Sequence, residues 1–329
     1  IKEGKLTCKS CRVSYLIRNF IPRFVSTKGY AESFGAQWNE FARVQLDDSV
    51  TRESELRFDS EIGWNQDRLE GKTVLEVGSG AGRFIDLISS RAAKLAVGVD
   101  VTTAVDAAQG NLKDRDNVFF VQADVFKLPI KEGFFDYAYS IGVLHHTPDP
   151  QLAFENMAKV VKNFGDVGVS LYEISLYSRP NKNSMRVATM EVLWALNLWR
   201  CEFFRMFTTR VPDRAMIVYC KTVIPVLHYL NKIPLIGWLR YLFPSTCYRK
   251  LPVSWSMLDT MDTYSTKIVH QYRAKDVFQW FLKLGLDNTK VMNGRAGWVS
   301  VIANKADFKS REENKLVMSS PPSIGNIGD

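Results

Sequence analysis

Three glycines at every second position, Gly78, Gly80 and Gly82, separate a short apolar run from a segment with helical spacing. Glycine lets a backbone turn tightly and come close to a ligand because no Cβ intervenes. A helix start then presents unpaired N–H groups. The stretch Glu76-Val-Gly78-Ser79-Gly80-Ala-Gly82-Arg-Phe84 is therefore a candidate ligand loop. A dinucleotide site, G-x-G-x-x-G, is the rival. The third glycine comes one residue too early for that pattern, and Glu76 suits a ligand bearing an ammonium better than a pyrophosphate. Asp100 follows 24 residues after Glu76 and can accept both hydroxyls of a ribose, or cap a helix through Thr102–Thr103. Asp124, in Gln122-Ala123-Asp124-Val125, can accept an exocyclic amine while Val125 packs on the ring.

These residues need a scaffold that brings strand ends together. From Lys72 onward strands alternate with helices: strands at Lys72–Val77, Leu95–Val99, Val118–Gln122, Phe135–Ser140 and Val167–Tyr172, helices at Gly82–Arg91, Thr103–Arg115 and Gln151–Lys162. That rhythm predicts βαβ units and a parallel sheet. Residues 30–70 read as helical, and Tyr30, Phe34 and Trp38 fall four apart on one face, as core or as a cover for the ligand. After Tyr172 the rhythm breaks. Residues 175–262 are rich in aromatics, basic residues and prolines and read as a helical insertion, before a helix at Ala274–Leu284 and strands near Thr289–Met292 and at Trp298–Asn304. Residues 306–329 are polar and read as a disordered tail.

The fourth strand runs into Ser140-Ile141-Gly142-Val143-Leu144-His145-His146-Thr-Pro-Asp-Pro. With VLEVGSGAGRF, GVD and QAD before it, in that order, the chain resembles the class I, Rossmann-like S-adenosylmethionine-dependent methyltransferases, in particular the "type 11" group. The resemblance covers about Tyr30–Tyr172, and Asp259–Asn304 more loosely. It implies a three-layer α/β fold with a seven-stranded, mostly parallel sheet of order 3-2-1-4-5-7-6. It also implies S-adenosylmethionine at Glu76, Gly78, Gly80, Asp100, Asp124 and near Ile141–Leu144. Ser79, Gly82, Val101, Ala123, Val125, Ser140, Gly142 and His145 complete the expected cofactor set, with Tyr30, Phe34 and Trp38 as its cover. The domain organisation expected is a Rossmann-like domain at 30–174 and 263–305 with a cap at 175–262.

The acceptor is open. Tyr172 and Glu173 follow the fifth strand, and Asp259, Asp262, Tyr264, Ser265, His270 and Tyr272 flank the expected cleft. His270 is the first choice for a base because histidine titrates near neutrality, with Tyr264 and Tyr172 beside it. Trp194, Trp199, Phe203, Phe204 and Phe207 recur at near-helical spacing and read mostly as core of the cap. Arg179, Arg186, Arg200, Arg205, Arg210 and Arg214 are interleaved, leaving contact with a phosphorylated or lipid-like acceptor, or a peripheral membrane contact, open. A small-molecule acceptor (glycan, lipid-linked or secondary metabolite) is expected. RNA or protein methylation, a non-catalytic cofactor-binding module and an NAD-dependent enzyme are the alternatives.

Bulk composition bounds these readings. The chain has 329 residues, 46% hydrophobic and 24% charged, with a net charge of +8. That favours anionic partners, but no run of five or more Lys/Arg marks a nucleic-acid tail. No apolar stretch reaches the roughly 18 residues needed to span a bilayer, and no signal peptide is read. Five dispersed cysteines fit a reducing cytoplasm better than a disulfide framework. Cys8 and Cys11 have the spacing of a zinc knuckle, in a segment, 1–29, that resembles the second half of a zinc ribbon. The site is incomplete here. Zinc would need a second CxxC upstream of Ile1. The sequence is silent on oligomeric state.

Overall fold

A computed structural model of the chain describes residues 1–25, 29–48, 51–174, 185–295 and 297–305, with only the helical backbone over 185–195. The expected tail at 306–329, and Arg179, lie outside the described residues, as do the side chains of Arg186 and Trp194.

In chain order the strands are β1 Gly4–Thr7, β2 Ser14–Arg18, β3 Ile21–Arg23, β4 Thr73–Val77, β5 Leu95–Asp100, β6 Val118–Gln122, β7 Phe135–Ile141, β8 Val161–Tyr172, β9 Leu286–Met292 and β10 Trp298–Lys305. The α-helices are α1 Glu32–Glu40, α2 Glu53–Glu61, α3 Gln66–Leu69, α4 Arg83–Ser90, α5 Ala104–Asn111, α6 Pro150–Lys159, α7 Met185–Thr208, α8 Asp213–Leu230, α9 Val253–Ser265 and α10 Ala274–Lys283.

One sheet organises them, in the order β1-β2-β3-β6-β5-β4-β7-β8-β10-β9. Its last seven members reproduce the expected 3-2-1-4-5-7-6 arrangement. Strands β6, β5, β4, β7 and β8 are parallel, and β10 runs antiparallel between β8 and β9. The strand count is a correction: ten among the described residues, where seven were expected. The extra three are the N-terminal meander β1–β3, which joins the edge of β6 at Arg23↔Gln122. Arg23 holds that junction, with Nη1 donating to the Gln122 side-chain oxygen at 2.8 Å and Nη2 to Asp106 at 2.5 Å. A sheet edge takes another strand readily because its N–H and C=O groups are unpaired.

Central strands buried on both faces read as continuous apolar runs. Val74, Leu75 and Val77 in β4 are all buried and divide between two cores, Leu75 and Val77 in one, which Val167, Val169 and Leu171 of β8 join, and Val74 in the other. In the second of these, Phe58, Trp64 and Tyr139 pack edge to face, a favoured aromatic geometry. The Pro-Asp-Pro after His146 is a helix start. Asp149 accepts from the Leu152 N–H at 3.0 Å, and Pro150 occupies the first turn of α6.

The helices between β8 and α10 form their own small cores. Met216 and Cys220 of α8 and Leu258, Met261 and Tyr264 of α9 enclose one with Phe41, just past α1. Most of the α7 aromatics do not join it. Phe204 packs against this core, whereas Trp199, Phe203 and Phe207 are exposed, which corrects their assignment as core.

Candidate cofactor and acceptor site

One cavity of about 350 Å³ opens above the carboxyl ends of β4, β5 and β7, roofed by α1 and α9. Its volume lies near the low end of the roughly 300–1,000 Å³ typical of small-molecule sites. Strand ends at a topological switch point are where ligands bind in such sheets.

The floor is the glycine loop. Gly78 has φ +80° and a Cβ there would lie 2.2 Å from the Val143 side chain. Gly80 has φ +50°, and its Cβ would press on the Trp38 indole at 3.2 Å. Only glycine allows both the turn and the close approach. The Gly80 N–H donates to Asp100 Oδ2 at 3.0 Å, while Thr102 donates to Oδ1 through its backbone N–H at 2.9 Å and its hydroxyl at 2.7 Å. Burial nevertheless raises the Asp100 pKa above the ordinary value.

Of the expected cofactor residues, Glu76, Gly78, Ser79, Gly80, Asp100, Val101, Ala123, Val125, Ile141, Gly142 and Leu144 line this cavity. So do Tyr30, Phe34 and Trp38. Asp124 is set back. It accepts from the Phe126 N–H at 3.1 Å and from the Tyr30 hydroxyl at 3.4 Å, so it reaches the cavity through Tyr30.

Three members of the set face elsewhere. Gly82 is the N-cap of α4, and a Cβ there would meet Leu112, Ala108 and Phe120. Ser140 is buried, its hydroxyl donating to the Val77 carbonyl at 2.8 Å across the β4–β7 pair. His145 is fully buried beneath the cavity wall, its ring 3.9 Å from that of Tyr172, and burial holds its pKa well below the usual histidine value.

The acceptor residues divide in the same way. Tyr172 lines the cavity and its hydroxyl donates to Asp262 at 3.5 Å. His270 and Tyr264 do not line it. The His270 N–H is bound to the His145 carbonyl at 2.9 Å, which keeps the residue behind that wall. Tyr264 is fully buried in the α8–α9 core, where its hydroxyl meets Cys201 Sγ at 3.5 Å.

Asp259, expected to flank the cleft, and residues that the sequence did not single out complete the site. Tyr248 and Asp259 face the cavity and are hydrogen-bonded to each other, hydroxyl to carboxylate. Burial raises Asp259 to about 6, against the lowering effect of the Tyr248 hydroxyl. Arg57, Arg83 and Arg295 also line the cavity. Arg83 donates to Gln45, and burial, then the neighbouring Arg57, lowers its pKa to about 9. Arg57 pairs with the buried Glu61 at 3.0 Å and lies 4.0 Å over the Trp298 ring, leaving Nη2 buried without a partner. Arg83 stood in the quoted motif, so its position was signalled. Tyr248 sits in an aperiodic part of the insertion and had no signal.

The cavity fits the expected cofactor on two counts. The Gly78–Gly80 cradle leaves room that a Cβ would fill. Glu76 is buried with Oε2 unpartnered, and burial raises its pKa well above the carboxylate range. A ligand ammonium in that position would satisfy the oxygen and restore its charge. Zinc has no such support: among the described residues no group of three or more His, Cys, Asp or Glu could hold a metal, and Cys8 and Cys11 are free thiols in the β1–β2 turn.

Residues 75–168 match the family model described as "Methyltransferase domain". Over those residues the chain matches a methyltransferase domain, on a sheet whose strand order is the one expected of the class I, Rossmann-like fold. It is 29% identical over 140 residues to a "tRNA U34 carboxymethyltransferase" of Ruthia magnifica, covering 36% of this chain and 44% of that one. It is 30% identical over 99 residues to a "Ubiquinone biosynthesis O-methyltransferase" of Coxiella burnetii, covering 30% and 42%. The chain thus spans less than half the length of these relatives. Among solved structures, a Mesorhizobium loti S-adenosylmethionine-dependent methyltransferase shares 24% identity over 34% of this chain and 51% of its own, with TM-score 0.31. One from Aquifex aeolicus shares 14% over 82% and 98%, with TM-score 0.41.

Proposed function

We propose that this methyltransferase domain binds S-adenosylmethionine and transfers its methyl group to a hydroxyl of a small-molecule acceptor. The carrying observation is the juxtaposition, in one cavity, of the unpartnered Glu76 carboxylate in its glycine cradle and the Tyr248–Asp259 pair. Glu76 would hold the cofactor ammonium, Asp100 the ribose, and Tyr30 with Val125 the adenine. The cofactor supplies a methyl on a positively charged sulfur, already activated toward attack. The protein then has to orient the acceptor and exclude water, which proximity effects make worthwhile. Residues 175–262 act as the lid that selects the acceptor.

A hydroxyl acceptor must lose a proton. Asp259 suits that task, because a base works best with a pKa near the working pH. Tyr248 holds the carboxylate in place, and Arg57 and Arg83 give the site a positive field that favours the departing proton and an anionic oxygen.

Isothermal titration with S-adenosylmethionine, S-adenosylhomocysteine and NAD tests cofactor choice, followed by turnover across phenolic, sugar and quinol acceptors. Binding of NAD alone would sink the proposal. An RNA acceptor is the second reading, favoured by the 140-residue match to the tRNA enzyme, and methyl incorporation into bulk tRNA would select it.

A further inference from the structure

The cap exposes apolar side chains where a soluble surface would carry polar ones. On α7, Trp199, Phe203 and Phe207 recur every fourth residue, with ring centroids 5.7 and 5.6 Å apart in succession, and all three are exposed. Beyond α8 the chain runs Ile233-Pro-Leu235-Ile-Gly-Trp238-Leu-Arg-Tyr241-Leu242-Phe243. Leu235 is 91% exposed and Trp238 57%. Leu235 also has φ +72°, a left-handed conformation that side-chain-bearing residues rarely adopt. The fold therefore strains the backbone where an apolar side chain enters solvent and gains no internal packing from it.

The two pieces form one surface. Arg200 of α7 donates to the Phe243 carbonyl at 2.9 Å and to the Ser245 carbonyl at 3.4 Å, with its guanidinium 5.5 Å from the Tyr241 ring. Arg240 donates to the Cys247 carbonyl at 2.9 Å and closes the segment on itself.

Charge says what covers this surface. Residues 214–258 contain six Lys or Arg and no Asp or Glu. Lys221 is paired with Glu40, but Lys232, Arg249 and Lys250 are exposed and form no ion pair among the described residues. Exposed Trp, Tyr and Leu on a stretch of chain whose own charges are all cationic match an anionic bilayer, whose headgroups attract the cations while the apolar residues enter the acyl boundary. No helix among the described residues is long and apolar enough to cross a membrane, so the contact is peripheral.

We propose that the outer face of α7 and the segment 231–243 dock on the surface of an anionic phospholipid membrane. This is independent of the methyl-transfer reading, and either can fail without the other. The test is co-sedimentation of the purified full chain with vesicles of phosphatidylcholine alone or mixed with phosphatidylserine, at about 0.1 M salt, where the screening length is about 10 Å. Binding is expected to the mixed vesicles and to weaken with salt. The double variant Leu235→Asp/Trp238→Asp should bind about tenfold more weakly or worse, with its melting temperature unchanged because both side chains are exposed. The pair Arg249→Glu/Lys250→Glu should weaken binding and flatten its salt dependence. The proposal is overturned if the wild-type chain stays in solution with both vesicles or binds both equally. It is also overturned if sedimentation shows a dimer that Leu235→Asp/Trp238→Asp dissociates, because a second copy would then cover the face.

Discussion

The Gly80 N–H donates to the Asp100 carboxylate at 3.0 Å, so the acid at the end of β5 orders the very loop that is to cradle the cofactor. Asp100→Ala should weaken S-adenosylmethionine binding by roughly 1.5–3 kcal/mol, the value of a hydrogen bond to a charged group. Calorimetry reads it directly. An unchanged affinity would remove Asp100 from the site.

Gly78 faces Val143 with no room for a methyl group. Gly78→Ala should destabilise the fold by roughly 1–3 kcal/mol, as overpacking does, and abolish cofactor binding. Adding Val143→Ala should recover part of the stability in urea denaturation, though not all, because the positive φ remains unfavourable for alanine. Full recovery would show that the contact alone mattered.

Asp259 ties activity and stability to pH in opposite directions. As the proposed base it must be ionised, so the rate should rise as pH increases through about 6. Its folded pKa lies above the ordinary 3.8, so the folded state binds this proton more tightly than the unfolded chain does. The stability it contributes is therefore present below about pH 4 and lost as pH rises through about 6, by about 3 kcal/mol. Asp259→Asn should lower kcat, remove the acid limb of the rate profile and flatten the stability slope between about pH 4 and 6. A variant that keeps the limb would transfer the role to another group.

Arg57 neutralises Glu61, which is fully buried. Removing the cation leaves a buried charge without compensation, so Arg57→Ala should cost about 3–5 kcal/mol. Arg57→Met with Glu61→Leu should restore most of it. If Arg57→Ala unfolds at the wild-type denaturant midpoint, the pair contributes nothing.

The strands and the glycine loop were legible because they rest on local signals, whereas the strand order came only from the family resemblance. The apolar runs gave β4 and β5, and the glycine spacing gave the loop between β4 and α4. Acceptor chemistry rests on long-range packing, which spacing does not encode. His270 lay near the cleft in sequence terms, yet its backbone N–H binds the His145 carbonyl and the residue does not line the cavity. Tyr248 and Asp259 are eleven residues apart, and they meet only because the chain doubles back before α9. The α7 stripe misled for a related reason: helical periodicity shows that a face exists, not whether protein or something else covers it.

The antiparallel placement of β10 has a consequence for biosynthesis. Residues 298–305 fill the slot between β8 and β9, and Val301 is fully buried there. A ribosome has therefore released every helix among the described residues, and the strand β9, before the far side of β8 finds its neighbour. Until then β8 offers a row of unsatisfied backbone groups to any extended peptide nearby, so a nascent chain stalled ahead of Trp298 would be a target for chaperones.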